Sequence, residues 1–338
     1  MFKNSSRKKI DILTIFIVIA CCFCFAQKSE AAILFEDNFD GYSDSPENHG
    51  WDIPSAANVE NCDSPDGGRC LRFSIQARGT AQYWSNFDPN PSGTFEDGYI
   101  AFWAKEEGHE DGTAGGVKWL KLFSADYHNN PSTYANVTFS QTYQTGRFSG
   151  INCGPGTSPL NDTQVAYGYE GFVGAGTWRV DTEYTAGNSA GYGTNSAYVC
   201  KVNHVSSENN RPGVGPNWED YWIKIGTITN HSSAFYTGSG WHYYEYYVKH
   251  NTDDNLDGEF AVWVDGELKI RVANMRNRNN ANSMDWDSAS LVNHVEIEAP
   301  NMYYIYFDDI KTSDSYIEYV TPQEDTTAPS SPCGLSVS

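Results

Sequence analysis

Residues 241–250, WHYYEYYVKH, carry two kinds of reactive group on one side of an extended chain. Alternation puts Tyr243, Glu245, Tyr247 and Lys249 on one face and His242, Tyr244, Tyr246 and His250 on the other. A phenol can give up and take back a proton, and an ammonium two residues away can hold an anionic group beside it. Tyr247 and Lys249 are therefore a candidate proton-transfer and anion-clamping pair. Further cations stand on or near other apolar runs: Lys118 and Lys121 in VKWLKLFS (117–124), Arg147, and Arg271. The same residue types on a strand face also serve as solvated packing, so the pattern needs a scaffold that turns one face into a cleft.

A second group offers contacts rather than proton chemistry. Between 174 and 226 the chain places Trp178, Tyr184, Tyr198, Trp218, Tyr221 and Trp222 among Gly, Asn, Ser and Pro, with no helical stripe. An aromatic ring can stack on the apolar C–H face of a sugar, or it can form the small core that so short a segment needs.

The elements that must position these groups read as strands. LRFSIQ (71–76), GYIAFWAK (98–105), VKWLKLFS (117–124), ANVTFSQTY (135–143), WHYYEYYVKH, GEFAVWVDG (258–266), LKIRVANM (268–275), HVEIEA (294–299) and YYIYFDDIKT (303–312) alternate with Gly, Asn, Asp and Ser clusters. Asp-Gly at 257–258 and 265–266 are hairpin signals. No ten-residue stretch has a 3.6-residue period. With 338 residues, this pattern predicts an all-β sandwich or barrel.

The chain is acidic, with 43 Asp and Glu against 22 Lys and Arg and a formal charge of −21. Such a chain is repelled by phosphate backbones, so nucleic acid is excluded as a natural partner. The first 31 residues are instead basic: RKK at 7–9 precedes an apolar run from Ile10 to Phe25, with small-residue cleavage sites at 24–26 and 29–31. This predicts a signal peptide over 1–31 and a secreted protein, with no other stretch able to span a bilayer as a helix. Val18-Ile19-Ala20-Cys21 also fits a lipobox, which would anchor the protein to the cell envelope through Cys21. Cys62 and Cys70 bracket the turn-rich DSPDGGR and are expected to form a disulfide; Cys153 and Cys200 pair only if the fold brings them together.

In order along the chain come FEDNFDGY (35–42), W-H-x-x-E-x-x-V-K-x-N-T (241–252), DGEFAVWVDGEL (257–268) and YIYFDDIKTSDSYI (304–317). This series resembles the concanavalin A-like jelly roll of lectins, glucanases and polysaccharide lyases, nearest the alginate and glucuronan lyase branch, over about 33–320. It departs from the glucanases in lacking E-x-D-x-x-E, and from the commonest alginate lyases in lacking R-x-E-x-R and Q-I-H. The resemblance implies a sandwich of two antiparallel sheets acting on or binding an extracellular polysaccharide. In its lyase form, Tyr247 would move the proton, and Lys249, Lys118 and Arg147 would neutralise the uronate carboxylate. In its lectin form the protein would only bind. The resemblance also points to a structural Ca²⁺ where the first strand meets the last, at Asp309 with Asp37 or Glu36 opposite, since hard carboxylate oxygens suit that ion.

The aromatic segment resembles small chitin- and cellulose-binding modules. That resemblance implies a carbohydrate-binding insertion over 174–226, in a loop between two jelly-roll strands, with Trp178, Tyr184, Trp218, Tyr221 and Trp222 as binding residues. At least one of Trp178 and Trp222 is expected to face solvent. The tail, 321–338, is a Pro/Ser/Thr linker whose DTTAPSSPCGLSVS resembles the run into a fibronectin type III domain.

Overall fold

The computed structural model describes residues 32–319 apart from 44–45, 55, 66, 76–78, 82–84, 109–114, 124–135, 143–146, 155–164, 169–170, 174–175, 187, 192–195, 232–239, 253–254, 256, 276–285, 287 and 298–301. The expected signal peptide with Cys21 and the expected linker lie outside the described residues.

Each apolar run named above forms part of a strand. The strands assemble into two sheets of a sandwich. In the larger, 12-stranded sheet the central order is Trp222–His231, Glu267–Met275, Gly258–Val264, His242–Lys249, Asp97–Glu107, Tyr303–Ser313, Gly68–Ile75, Ala57–Cys62. The 8-stranded sheet has Val165–Gly168, Arg147–Gly154, Asn136–Thr142, Gly115–Phe123 and Ser288–Ile297 side by side. One core lies between them, with Phe102, Tyr244, Tyr246 and Val262 of the larger sheet packed towards Leu120, Leu122 and Leu291 of the smaller. Every second residue of a strand feeds this core, and burying each large side chain contributes roughly 1.5–3 kcal/mol.

Three local features follow from the residues. Asp265 and Gly266 both take positive φ (52° and 77°), the two left-handed residues of a tight hairpin turn. Asp257-Gly258, by contrast, closes a longer connection after Lys249, in which the Asp257 carboxylate accepts the Thr252 N–H at 2.7 Å. Cys62 and Cys70 form the expected disulfide across the end of a hairpin, with a Cα–Cα distance of 6.0 Å. Cys200 is a buried free thiol that donates to the Val202 carbonyl at 3.0 Å, so Cys153 does not pair with it.

The first described strand, Ile33–Asp37, pairs antiparallel with the last, Tyr303–Ser313. After the last strand, the segment 314–319 crosses the outer face of the larger sheet as a strap. Ile317 is buried there against Ala101, Trp103 and Tyr243, and Tyr319 packs on the same group.

The aromatic segment extends the larger sheet sideways. Ser196–Cys200 pairs with Trp222–His231, Ser189–Gly191 with Ser196–Cys200, and Gly176–Thr177 runs parallel to Ser189–Gly191. The segment's ends are therefore about three strand spacings, or roughly 14 Å, apart rather than adjacent. Trp222–His231 belongs to both regions: its first half pairs with Ser196–Cys200 and its second half with Glu267–Met275.

Candidate functional site

The sandwich separates the four expected catalytic residues. Tyr247 and Lys249 lie on the 12-stranded sheet, Lys118 and Arg147 on the 8-stranded sheet. Tyr244, Tyr246 and Val248 point into the core, so the Tyr247 face looks away from the other sheet. No single cleft can collect all four, and the quartet is corrected to two separate faces.

Backbone register builds one of these faces. In VKWLKLF, simple alternation would put Lys118 on the same side as buried Leu120. The pairing slips between them: Lys118 stands opposite Ser140, but Leu120 stands opposite Phe139. Ser140 and Phe139 are consecutive and belong to opposite faces, so their partners do too. Leu120 is in the core, which assigns position 118 to the outer face. A matching slip on the neighbouring strand takes Leu291, opposite Leu120, and His294, opposite Lys118, to opposite faces. Across three strands this produces the row His294, Lys118, Ser140. Two positions along runs a second row: Glu296, Gly116, Thr142, Arg147. Register thus sets a histidine, two cationic residues, a serine and a glutamate at neighbouring positions on adjacent strands, with Gly116 among them. His294, Ser140 and Glu296 were not among the expected site residues, although the H-x-E spacing of HVEIEA was a visible signal.

The outer face of the larger sheet is chemically different. Tyr247 is packed against Tyr99 at 4.8 Å between centroids. Burial, with help from Asp97 and Glu259, pushes its phenol up to about 12, away from the range in which it would act as a base. Arg271 is engaged by Glu259 at 2.6 Å, and Lys249 stands in register between Asp97 and Glu259. Glu245, 1% exposed, accepts the Ile317 N–H at 2.7 Å, and its burial pushes its carboxyl up to about 8.

The aromatic segment makes a core of its own. Trp178, Tyr184, Tyr198 and Trp222 are buried together with Ala190 and Cys200, and Trp218 and Tyr221 pack on them partly exposed. Trp222, 1% exposed, donates its Nε1–H to the Asn210 carbonyl at 2.8 Å. Trp178, 8% exposed, lies under the Arg211 guanidinium at 5.4 Å. A ring enclosed in this way has no face to offer a sugar, which corrects the expectation for Trp178, Tyr184 and Trp222. Gly213, at φ 70°, lets the chain pass directly against the Tyr198 hydroxyl, where any Cβ would collide.

At the expected cation site, Asp37 and Asp309 are brought close by pairing of the first and last strands, with Asp37 opposite Ile310. Both oxygens of Asp37 and one of Asp309 are otherwise engaged. Asp37 accepts from the Phe39 N–H at 2.9 Å, from Trp51 Nε1–H at 2.7 Å and from the Tyr42 hydroxyl. Lys311 places its ammonium between Asp309, at 2.8 Å, and Glu36, at 3.2 Å. Among the described residues no group of three or more His, Cys, Asp or Glu is arranged to hold a metal ion. The donor set at Asp37 and Asp309 does not fit Ca²⁺. Chelation is expected to move the melting temperature by less than about a degree, because a ligand stabilises only where a site binds it. A fall of several degrees, abolished in Asp309→Ala, would establish the cation after all.

No described helix is long and apolar enough to cross a membrane. No family model matches the sequence, and no curated protein matches it. Among solved structures, the chain is similar to the endo-β-1,4-glucuronan lyase of the fungus Trichoderma reesei: 13% identity, TM-score 0.43, covering 86% of this chain and 99% of that one. It is also similar to the marine PL-14 alginate lyase of Aplysia kurodai, at 14% identity and TM-score 0.43 over 84% and 100% of the two chains. For the alginate lyase vAL-1 from Chlorella virus the values are 13% and 0.39, over 79% and 94%.

Proposed function

We propose that the protein is an exported polysaccharide lyase that cleaves a uronate polymer by β-elimination on the outer face of its 8-stranded sheet. The observation that carries this reading is the register that sets His294, Lys118 and Ser140 in one row and Arg147 two positions along. Elimination removes the proton from C5 of the uronate, forms the C4–C5 double bond and breaks the C4–O bond, whose oxygen takes a proton from water. Lys118 would neutralise the carboxylate and so acidify the C5 proton. His294, an imidazole whose ordinary pKa lies near neutrality, would receive that proton. Arg147 would hold the next uronate along the chain. Tyr247 and Lys249, on the opposite sheet, take no part. The disulfide and the basic, apolar N-terminal run support export.

The test is absorbance at the unsaturated-uronate band on incubation with alginate, glucuronan and other uronates. Lys118→Ala is expected to lower kcat/KM by roughly 10²-fold, the loss typical of removing one charge-stabilising donor. No new absorbance with any uronate, or full activity in Lys118→Ala, would sink the reading. A second reading, non-catalytic binding, is favoured by the rings that Trp218 and Tyr221 keep partly exposed. It predicts retention on a glycan with no product formed.

A further inference from the structure

We infer that the outer face of the 12-stranded sheet is a docking platform for a neutral polysaccharide chain, built from Tyr99, Tyr247, Trp263 and Tyr316. It lies across the sandwich from the proposed elimination site and does not depend on it.

The geometry is that of a floor and a wall. Tyr99 stands opposite Tyr247, and the strand carrying Trp263 is the next one over. Their rings form the floor, with Tyr99 inclined 32° to Tyr247 and 42° to Trp263, and centroids 4.8 and 6.1 Å apart. Tyr316 comes from the strap and stands on edge against this floor, at 80° to Tyr99 and 59° to Trp263. It is 40% exposed, the most open of the four. The strap is tied down beside it by the Ile317 N–H to Glu245 bond, so the wall is fixed by a neighbouring contact rather than by its own packing. A rigid aromatic floor with an upright ring at its edge suits the flat C–H face of a pyranose, and such rings lose little conformational entropy on binding.

Charge selects the class of glycan. Three cations of this face have carboxylate partners. Arg271 pairs with Glu259, Lys105 with Asp63 and Glu107, and Arg72 with Glu60, at 2.6–2.8 Å. Lys249 stands in register between Asp97 and Glu259. Among the described residues, a polyuronate would meet a balanced-to-acidic surface. A neutral chain meets no such repulsion. The phenols of Tyr99, Tyr247 and Tyr316 are all pushed up by burial and nearby carboxylates. They therefore stay protonated and can donate to sugar hydroxyls.

Native gel electrophoresis of the full chain through gels containing hydroxyethylcellulose, mixed-linkage β-glucan or xylan, with alginate as the charged comparison, tests this. At least one neutral glycan is expected to retard the protein. Tyr316→Ala and, independently, Trp263→Ala are expected to weaken that retardation by about tenfold or more in Kd, since each removes a stacking ring. Thermal melting of each variant checks that it is folded, and exposed Tyr316 is the safer of the two. Val214→Ala, at an exposed position of the aromatic segment, should retain the retardation, and Trp218→Ala asks whether that segment binds the glycan instead. The proposal is overturned if no neutral glycan retards the chain, if retardation survives both platform variants, or if it is lost only in Trp218→Ala. A protein that binds a neutral glycan yet releases no unsaturated uronate would sink the elimination and leave this platform standing.

Discussion

Replacing Trp222 by alanine is expected to unfold the segment 176–222 while the two-sheet sandwich stays intact. Trp222 is the most deeply buried ring of the segment's cluster, in edge contact with Tyr184 at 4.9 Å and His204 at 5.1 Å. Its Nε1–H also satisfies the Asn210 carbonyl, at the end of a short 3-10 turn that holds the following loop. Removal leaves a ring-sized void and strands a buried acceptor, a loss of roughly 3–5 kcal/mol. A cluster of six buried residues has little other packing to absorb that loss. The cluster shares none of its buried residues with the main core, so the damage should stay local. Limited proteolysis should then cut Trp222→Ala within 178–221 under conditions where the native protein resists. Circular dichroism should remain strand-dominated. The strand Trp222–His231 runs through both regions and sets the competing outcome. A single melting transition, shifted as a whole, would show that the segment and the sandwich fold as one cooperative unit.

The strands were legible in the sequence because each carries a two-residue alternation that the core enforces, and the Asp265-Gly266 turn because both residues tolerate positive φ. The Cys62–Cys70 bridge was legible because its partners sit at the end of one hairpin. What stayed hidden depends on partners far along the chain. Nothing in VKWLKLF announces that its pairing slips between Lys118 and Leu120. That slip, set by strands 136–142 and 288–297, decides which face Lys118 occupies. Nor does the pattern of a strand say which sheet it joins, so Tyr247 and Lys118 looked like members of one cleft. The rings of the aromatic segment posed a different difficulty. A Trp that stacks on sugar and a Trp that fills a small core have the same neighbours in sequence, and burial alone tells Trp222 from Trp218. Nothing in SDSYIEYV announces its placement. Only its placement on Ala101, Trp103 and Tyr243 reveals a strap.

That strap sits on an acid, and the protein is expected to lose stability steadily as pH rises from about 5 to about 8, with Glu245→Gln removing much of the loss. Burial raises the Glu245 carboxyl from 4.5 to about 8, while the Ile317 N–H opposes the shift. Among the described residues its second oxygen has no hydrogen-bond partner. The native state therefore holds a proton that the unfolded chain releases above its ordinary pKa. Stability from this group is full below about 4.5, falls as pH rises, and levels off above about 8. The shift corresponds to on the order of 4 kcal/mol at the upper end. Glu106, buried on the core side and likewise pushed up to about 8, adds a slope of the same sign, so one substitution removes only its own share. Asp63, Asp257 and Asp265 have lowered values, so their contribution is lost only as pH falls through the acidic range, outside this window. Glutamine keeps an acceptor for the Ile317 N–H and cannot ionise. Glu245→Gln should therefore match the native protein near pH 5 and exceed it in melting temperature at pH 8.5, with Glu106→Gln adding to the difference. If ionised Glu245 escapes burial by lifting the strap, the native slope will be shallower, and cleavage after Tyr316 or Tyr319 by chymotrypsin will rise with pH in the native protein but not in Glu245→Gln. A native melting temperature that is flat from pH 5 to 8, with no change in cleavage, would show that the strap does not rest on a buried acid.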